Sequence, residues 1–157
     1  MLRDEGTLVL ILGQEISDRI EIDAESEVRT VTFTPNGEHL VIGGEEGVQV
    51  WRVKTSKRVA TMKVDKGVSS IAVSDRFIAA ESLRDMWVWD ATTYKQVFVC
   101  HNESPIWNFD FSPDSTQLVC ADGHNCMATI WDYVAQKGTH TRPSSRLAGQ
   151  RSIRQER

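Results

Sequence analysis

Residues 109–132, FDFSPDSTQLVCADGHNCMATIWD, set out a pattern of apolar and polar positions that organises the rest of the chain. Phe109 and Phe111 alternate with Asn108 and Asp110, the period of two that turns one side of a strand toward a core. Ser112-Pro113-Asp114 then reads as a turn, because proline presets φ and cannot pair in a ladder while aspartate bonds the turn backbone. Leu118, Val119 and Cys120 form a second short apolar run, Asp122-Gly123-His124-Asn125 a second turn, and Met127 to Trp131 a third run rich in strand formers. The segment predicts a three-stranded antiparallel meander.

A lone meander cannot bury its own faces, so recurrence decides the architecture. The order returns in residues 28–52, VRTVTFTPNGEHLVIGGEEGVQVWR, with Phe33, the turn Thr34-Pro35-Asn36-Gly37, Leu40-Val41-Ile42 and Trp51. It returns again in residues 68–90, VSSIAVSDRFIAAESLRDMWVWD, where the first turn shortens to Ser74-Asp75-Arg76. Trp51 and Trp89 lie 38 positions apart, Trp89 and Trp131 42. This period with its Trp-Asp ending resembles the WD40 repeat over roughly residues 8–132.

The resemblance implies an all-β fold, a partial β-propeller of antiparallel four-stranded blades. Its innermost strands would carry Val28/Val31/Phe33, Val68/Ile71/Val73 and Ile106/Phe109/Phe111, and its outer strands would run over 59–64 and 96–100. Ahead of the first repeat, 7–12 and 19–22 fall where a third and an outer strand belong. The resulting organisation is a half blade at 1–27, blades at 28–64 and 65–100, a third blade at 101–136 lacking its outer strand, and a disordered basic tail at 137–157. Departures from the family pattern fall on its polar network. The Gly-His dipeptide is replaced by Asp23-Ala24, Lys63-Val64 and His101-Asn102. The buried Asp is replaced by Glu45 or Glu46 and by Asn125, and is loosely matched by Asp85. The family's His-Asp-Ser/Thr-Trp network is therefore not expected in any blade. At about 40 residues per blade, a ring of at least about four and commonly seven blades exceeds 157 residues, so the arc is expected to stay open or to be completed by self-association.

Composition is ordinary for a globular domain, 40% hydrophobic and 25% charged. No apolar run approaches the roughly 18 residues of a membrane span, and Asp4 and Glu5 before the short run at 8–12 do not fit a secretory signal. With three cysteines, the reading is a cytoplasmic protein, or a nuclear one, with no membrane partner. The net charge of −4 divides unevenly: residues 137–157 hold six Lys/Arg against Glu156, a balance of +5, which leaves −9 for residues 1–136. Such a tail could tether an acidic partner or nucleic acid. No aromatics interleave with its arginines for stacking, so a solvated terminus is the favoured reading and nucleic acid is not the expected partner.

Candidate chemistry is sparse. Cys120, His124 and Cys126 match no zinc spacing and lack a fourth ligand, so no metal is expected. Cys100 and His101 are neighbours on a strand and point to opposite faces, with no third group to activate them. Gly43-Gly44 and Gly47 read as a turn before a strand rather than a phosphate loop, and no cofactor is expected. An enzyme on a propeller would need His, Asp or Glu converging on the axis, where the innermost strands offer Thr32, Ala72 and Asp110.

What the resemblance leaves is the top face, where the family's partners bind beside the first apolar position of each innermost strand. Those positions are Glu27 and Arg29 around Val28, Gly67 and Ser69 around Val68, and Pro105 and Trp107 around Ile106, with the turn residues Ser82 and His124 near them. Glu27, Arg29, Ser69, Trp107 and His124 are the candidate partner-binding residues, and Trp107 the expected anchor. The function implied is a non-catalytic scaffold for other proteins. The alternatives are a truncated fragment without independent function, and a propeller module whose basic tail binds acidic partners or nucleic acid.

Overall fold

The computed structural model describes residues 7–11, 19–101, 104–122, 127–132 and 137–141, with side chains for 21–101, 104–121 and 128–132. Fourteen strands are present among them: β1 (Thr7–Ile11), β2 (Arg19–Asp23), β3 (Val28–Phe33), β4 (His39–Gly44), β5 (Gly47–Arg52), β6 (Lys57–Met62), β7 (Ser70–Val73), β8 (Phe77–Ser82), β9 (Asp85–Asp90), β10 (Gln96–His101), β11 (Ile106–Phe111), β12 (Gln117–Asp122), β13 (Met127–Asp132) and β14 (Lys137–Thr141). They form one two-stranded and three four-stranded sheets, each an antiparallel meander in chain order. The short strands follow from the turns between them. Gly37, at φ +70°, donates its N–H to the Thr34 carbonyl at 2.8 Å, and the Asn36 side chain accepts the Glu38 N–H at 3.0 Å. Ser112, Asp114 and Ser115 build the equivalent turn in the third sheet.

The core lies between sheets rather than within one. Side chains alternate along each middle strand, so even and odd positions feed different interfaces. Val41, Val48 and Val50 of the first four-stranded sheet meet Ile78, Ala80 and Trp89 of the second. The opposite face of that second sheet, Ala79, Met86 and Val88, meets Phe109, Leu118 and Cys120 of the third. Ile22 of β2 packs on Leu40, Ile42 and Trp51. Innermost strands β3, β7 and β11 adjoin in sequence, which stacks the sheets about one side.

Two expectations change here. The third sheet is complete: β14 pairs with β13 from Ala128↔Thr141 to Asp132↔Lys137. The sequence reading assigned residues from 137 to a tail because KGTHT carries no apolar alternation. An outermost strand is held by ladder hydrogen bonds to one neighbour and needs little side-chain burial; of the other two outer strands, β6 is mostly exposed and β10 half exposed. With that place filled, β2 pairs with β1 in its own chain, and no vacancy exists in the third sheet for the outer strand of a second copy. The rest of the proposed tail, 142–157, lies outside the described residues.

The second change concerns the polar network. The Trp51 indole N–H donates to Gln49 Oε1 at 2.9 Å, and Gln49 Nε2 donates to the Ala24 carbonyl at 2.8 Å, all buried. Gln49 thus links the tryptophan to the position where the family pattern has its histidine. Thr129 stands at the equivalent place before Trp131, and the Trp131 indole N–H is buried without a partner among the described residues.

Candidate interaction surface

The starts of the innermost strands and the turns between second and third strands gather on one rim. Backbone hydrogen bonds tie them together: Glu45 N–H to the Glu27 carbonyl at 3.2 Å, Val68 N–H to the Gly44 carbonyl at 2.8 Å, and Ser69 N–H to the Glu81 carbonyl at 3.1 Å. Gly44 permits the first of these, since a Cβ there would collide with the Glu27 carbonyl.

On this rim β3 and β11 carry the same irregularity. The register of β3 against β4 shifts between Val28 and Thr30, and that of β11 against β12 between Ile106 and Asn108. A bulge leaves one residue out of the ladder and re-aims its side chain. The residues so placed are Arg29 and Trp107, and the equivalent residue of the second sheet is Ser69, just ahead of β7. All three are exposed. Trp107 is 70% exposed, while Ile106 and Phe109 of the same strand are buried. Glu27 and Arg29 form an ion pair at 3.1 Å between two exposed side chains, a contact worth little to stability. Glu27, Arg29, Ser69 and Trp107 therefore share one rim; His124 lies outside the described residues.

Between Ser69 and Pro105 the rim sinks into a depression of about 870 Å³ over the second sheet, lined by Ser69, Glu81, Ser82, Leu83, Trp87 and Pro105 among others. Ser82 is buried in its wall. Leu83, at φ +60°, turns out to solvent at 56% exposure. Trp87 stacks on Trp89 at 6.3 Å, and its indole N–H is buried without a partner among the described residues. Glu81 is only 7% exposed, and burial pushes its carboxyl above the usual glutamate range. Sequence reasoning passed over Glu81, although one acid closing the apolar run FIAAES was a visible signal.

The chemistry elsewhere is limited. Cys100 is buried while the adjacent His101 is exposed and bonds Asp85 Oδ1 through Nδ1 at 2.7 Å. The Cys120 thiol donates to the Thr129 carbonyl at 3.6 Å. Among the described residues no three His, Cys, Asp or Glu side chains converge to hold a metal ion.

Residues 92–132 match the family model described as WD domain, G-beta repeat. No curated protein matches the sequence. Among solved structures, a chain of a mitotic checkpoint complex is 21% identical with a TM-score of 0.69, covering 82% of this chain and 43% of its own. The β-propeller domain of Cps50 (Swd1) from Myceliophteria thermophila is 17% identical, TM-score 0.68, covering 82% and 41%. The WD40 repeats of RRP9 are 11% identical, TM-score 0.66, covering 87% and 42%. At these identities the likeness is one of fold, and the chain spans less than half the length of each. Taken with the repeat match at 92–132 and the stacked four-stranded meanders, it gives the chain the fold of part of a WD40-type β-propeller, about three blades of it.

Proposed function

We propose that the chain is a non-catalytic interaction module that binds other proteins through the rim carrying Glu27, Arg29, Ser69 and Trp107, with Trp107 as the anchor. The observation that carries the reading is Trp107: a bulge re-aims it, and 70% of its surface is exposed on a strand whose Ile106 and Phe109 are buried. A large aromatic at a rim offers apolar area with few rotors to immobilise, the property that concentrates binding energy in such residues. The neighbouring propellers include a chain of a mitotic checkpoint complex, which supports a role in protein assemblies for the fold.

The test is affinity capture with the full chain and with Trp107→Ala, the fold being checked by circular dichroism. Truncating an anchor costs about 2 kcal/mol or more, roughly thirtyfold in affinity, so the variant is expected to lose partners that the parent retains. An unchanged set of partners on a folded variant would remove Trp107 from the interface.

A further inference from the structure

The depression over the second sheet contains an ionisable group that the fold itself does not use. Glu81 lies at the rim end of β8, after Ile78, Ala79 and Ala80, which are all fully buried. Its side chain is more than nine-tenths buried and lines the depression. No hydrogen bond or ion pair to its carboxyl is made among the described residues, while its backbone is held opposite Ser70 and Met86 in the sheet and its carbonyl accepts the Ser69 N–H. Enclosing a carboxylate even in part without a partner disfavours its charged form. Native structures keep such groups rarely, and then chiefly at functional sites.

We propose that this depression receives the lysine or arginine side chain of a partner polypeptide, with the Glu81 carboxylate as its counter-ion. The proposal rests on reading the rim as the partner-binding face and names the chemistry one part of that face selects. The walls suit such a guest: Leu83, Trp87 and Pro105 offer apolar surface for the aliphatic stem, while Glu81 takes the charged end. A divalent cation fits less well, because among the described residues no three His, Cys, Asp or Glu side chains converge to supply the oxygens such ions demand. Other charges line the same depression, Asp65 and Asp85 against Lys66 and Arg84, and Asp85 is bonded to His101. They balance one another, so Glu81 supplies the net negative charge. Because burial holds its carboxyl above the usual range, cation binding weakens as pH falls through that raised value.

The full chain, labelled with ¹⁵N and ¹³C, is titrated with the capped tripeptides acetyl-Ala-Lys-Ala-amide, acetyl-Ala-Arg-Ala-amide and acetyl-Ala-norleucine-Ala-amide. The Trp87 indole N–H resonance reports occupancy, and the Glu81 carboxyl carbon reports its titration. The cationic peptides are expected to shift the indole resonance saturably, with affinities on the order of millimolar, while the norleucine peptide does not. Bound cation is expected to lower the Glu81 pKa, and Glu81→Gln to weaken binding by at least about tenfold. Equal responses to norleucine and lysine, or no change in the Glu81 titration of the parent chain, would overturn the proposal without relying on a variant. If the tripeptides fail while Trp107→Ala still releases a captured protein, the rim remains an interaction face and only the role of Glu81 falls.

Discussion

The middle four-stranded sheet and its two flanking sheets are written in the same repeat, yet equivalent apolar residues have different fates in them. Every residue of β8 in the middle sheet is buried, and Ile78 is 1% exposed. In the first sheet, Val31 and Phe33 pair with Ile42 and Leu40 and share their face, yet stand 43% and 47% exposed. In the third, Val119 points away from Leu118 and Cys120 and is 40% exposed. A propeller sheet is apolar on both faces, so burial is decided by whether another sheet lies against it rather than by the residue.

Cutting apolar side chains back to alanine on the two kinds of face is the strongest test of this contrast. Ile78→Ala opens a cavity between the first and second four-stranded sheets and is expected to cost about 2–5 kcal/mol. Val119→Ala removes atoms that already touch solvent and is expected to cost less than about 1 kcal/mol. Urea denaturation of the two variants measures both. Similar losses would show that the outward face of the third sheet is covered in solution.

A second difference separates the two flanking sheets from each other. In the first, Trp51 has its indole N–H satisfied by Gln49, which in turn reaches the Ala24 carbonyl. In the third, Trp131 packs against Phe98 at 5.6 Å with its N–H buried and unpartnered among the described residues. Gln49→Ala strands a donor and an acceptor together and is expected to cost about 1–3 kcal/mol. For the same reason Trp51→Phe should destabilise more than Trp131→Phe, since only the former leaves Gln49 without its partner. Equal losses would mean that the indole at 131 finds a partner as good as Gln49.

What could be read from the sequence follows the range of the signal. The three meanders, their turns and the position of Trp107 were legible because alternation, Pro, Gly and Asp act within a few residues. The strand at 137–141 was not, because an edge strand is specified by backbone pairing and its side chains announce nothing. Gln49 was hidden for another reason. A polar residue on a strand looks like one pointing to solvent until the carbonyl of Ala24, 25 positions earlier in the chain, is seen beside it. Glu81 shows the converse: its charge was visible, but the residues that enclose it, Val64 and Ser69 before it and Pro105 after it, come from segments on either side.

The smallest expected effects belong to the turns, where middle and flanking sheets should behave alike because neither turn depends on a neighbouring sheet. Asp90, of the Trp-Asp pair in the middle sheet, accepts the Thr93 N–H at 2.7 Å, the Thr93 hydroxyl at 2.9 Å and the Thr92 N–H at 3.0 Å. The Thr93 N–H leads in holding its carboxyl below the usual aspartate range. Asp114 of the third sheet accepts the Ser112 hydroxyl at 2.6 Å and both donors of Thr116, and the Ser112 hydroxyl leads in lowering it. A carboxyl lowered by folding adds stability above its unfolded pKa of about 3.9, and that stability is lost as pH falls through the lower folded value. Asp90→Ala and Asp114→Ala are therefore each expected to lower Tm modestly at neutral pH, and the difference from the parent chain should shrink in acid. Glu81→Gln should show the opposite sign. Its carboxyl is raised by burial, so the parent loses stability as pH rises through the folded value and the glutamine variant should be the more stable at neutral pH. Thermal unfolding across acid and neutral pH separates the two signs. If Asp90→Ala proved costly while Asp114→Ala did not, the turn of the middle sheet would be coupled to its packed faces, and burial by neighbours would reach beyond the core.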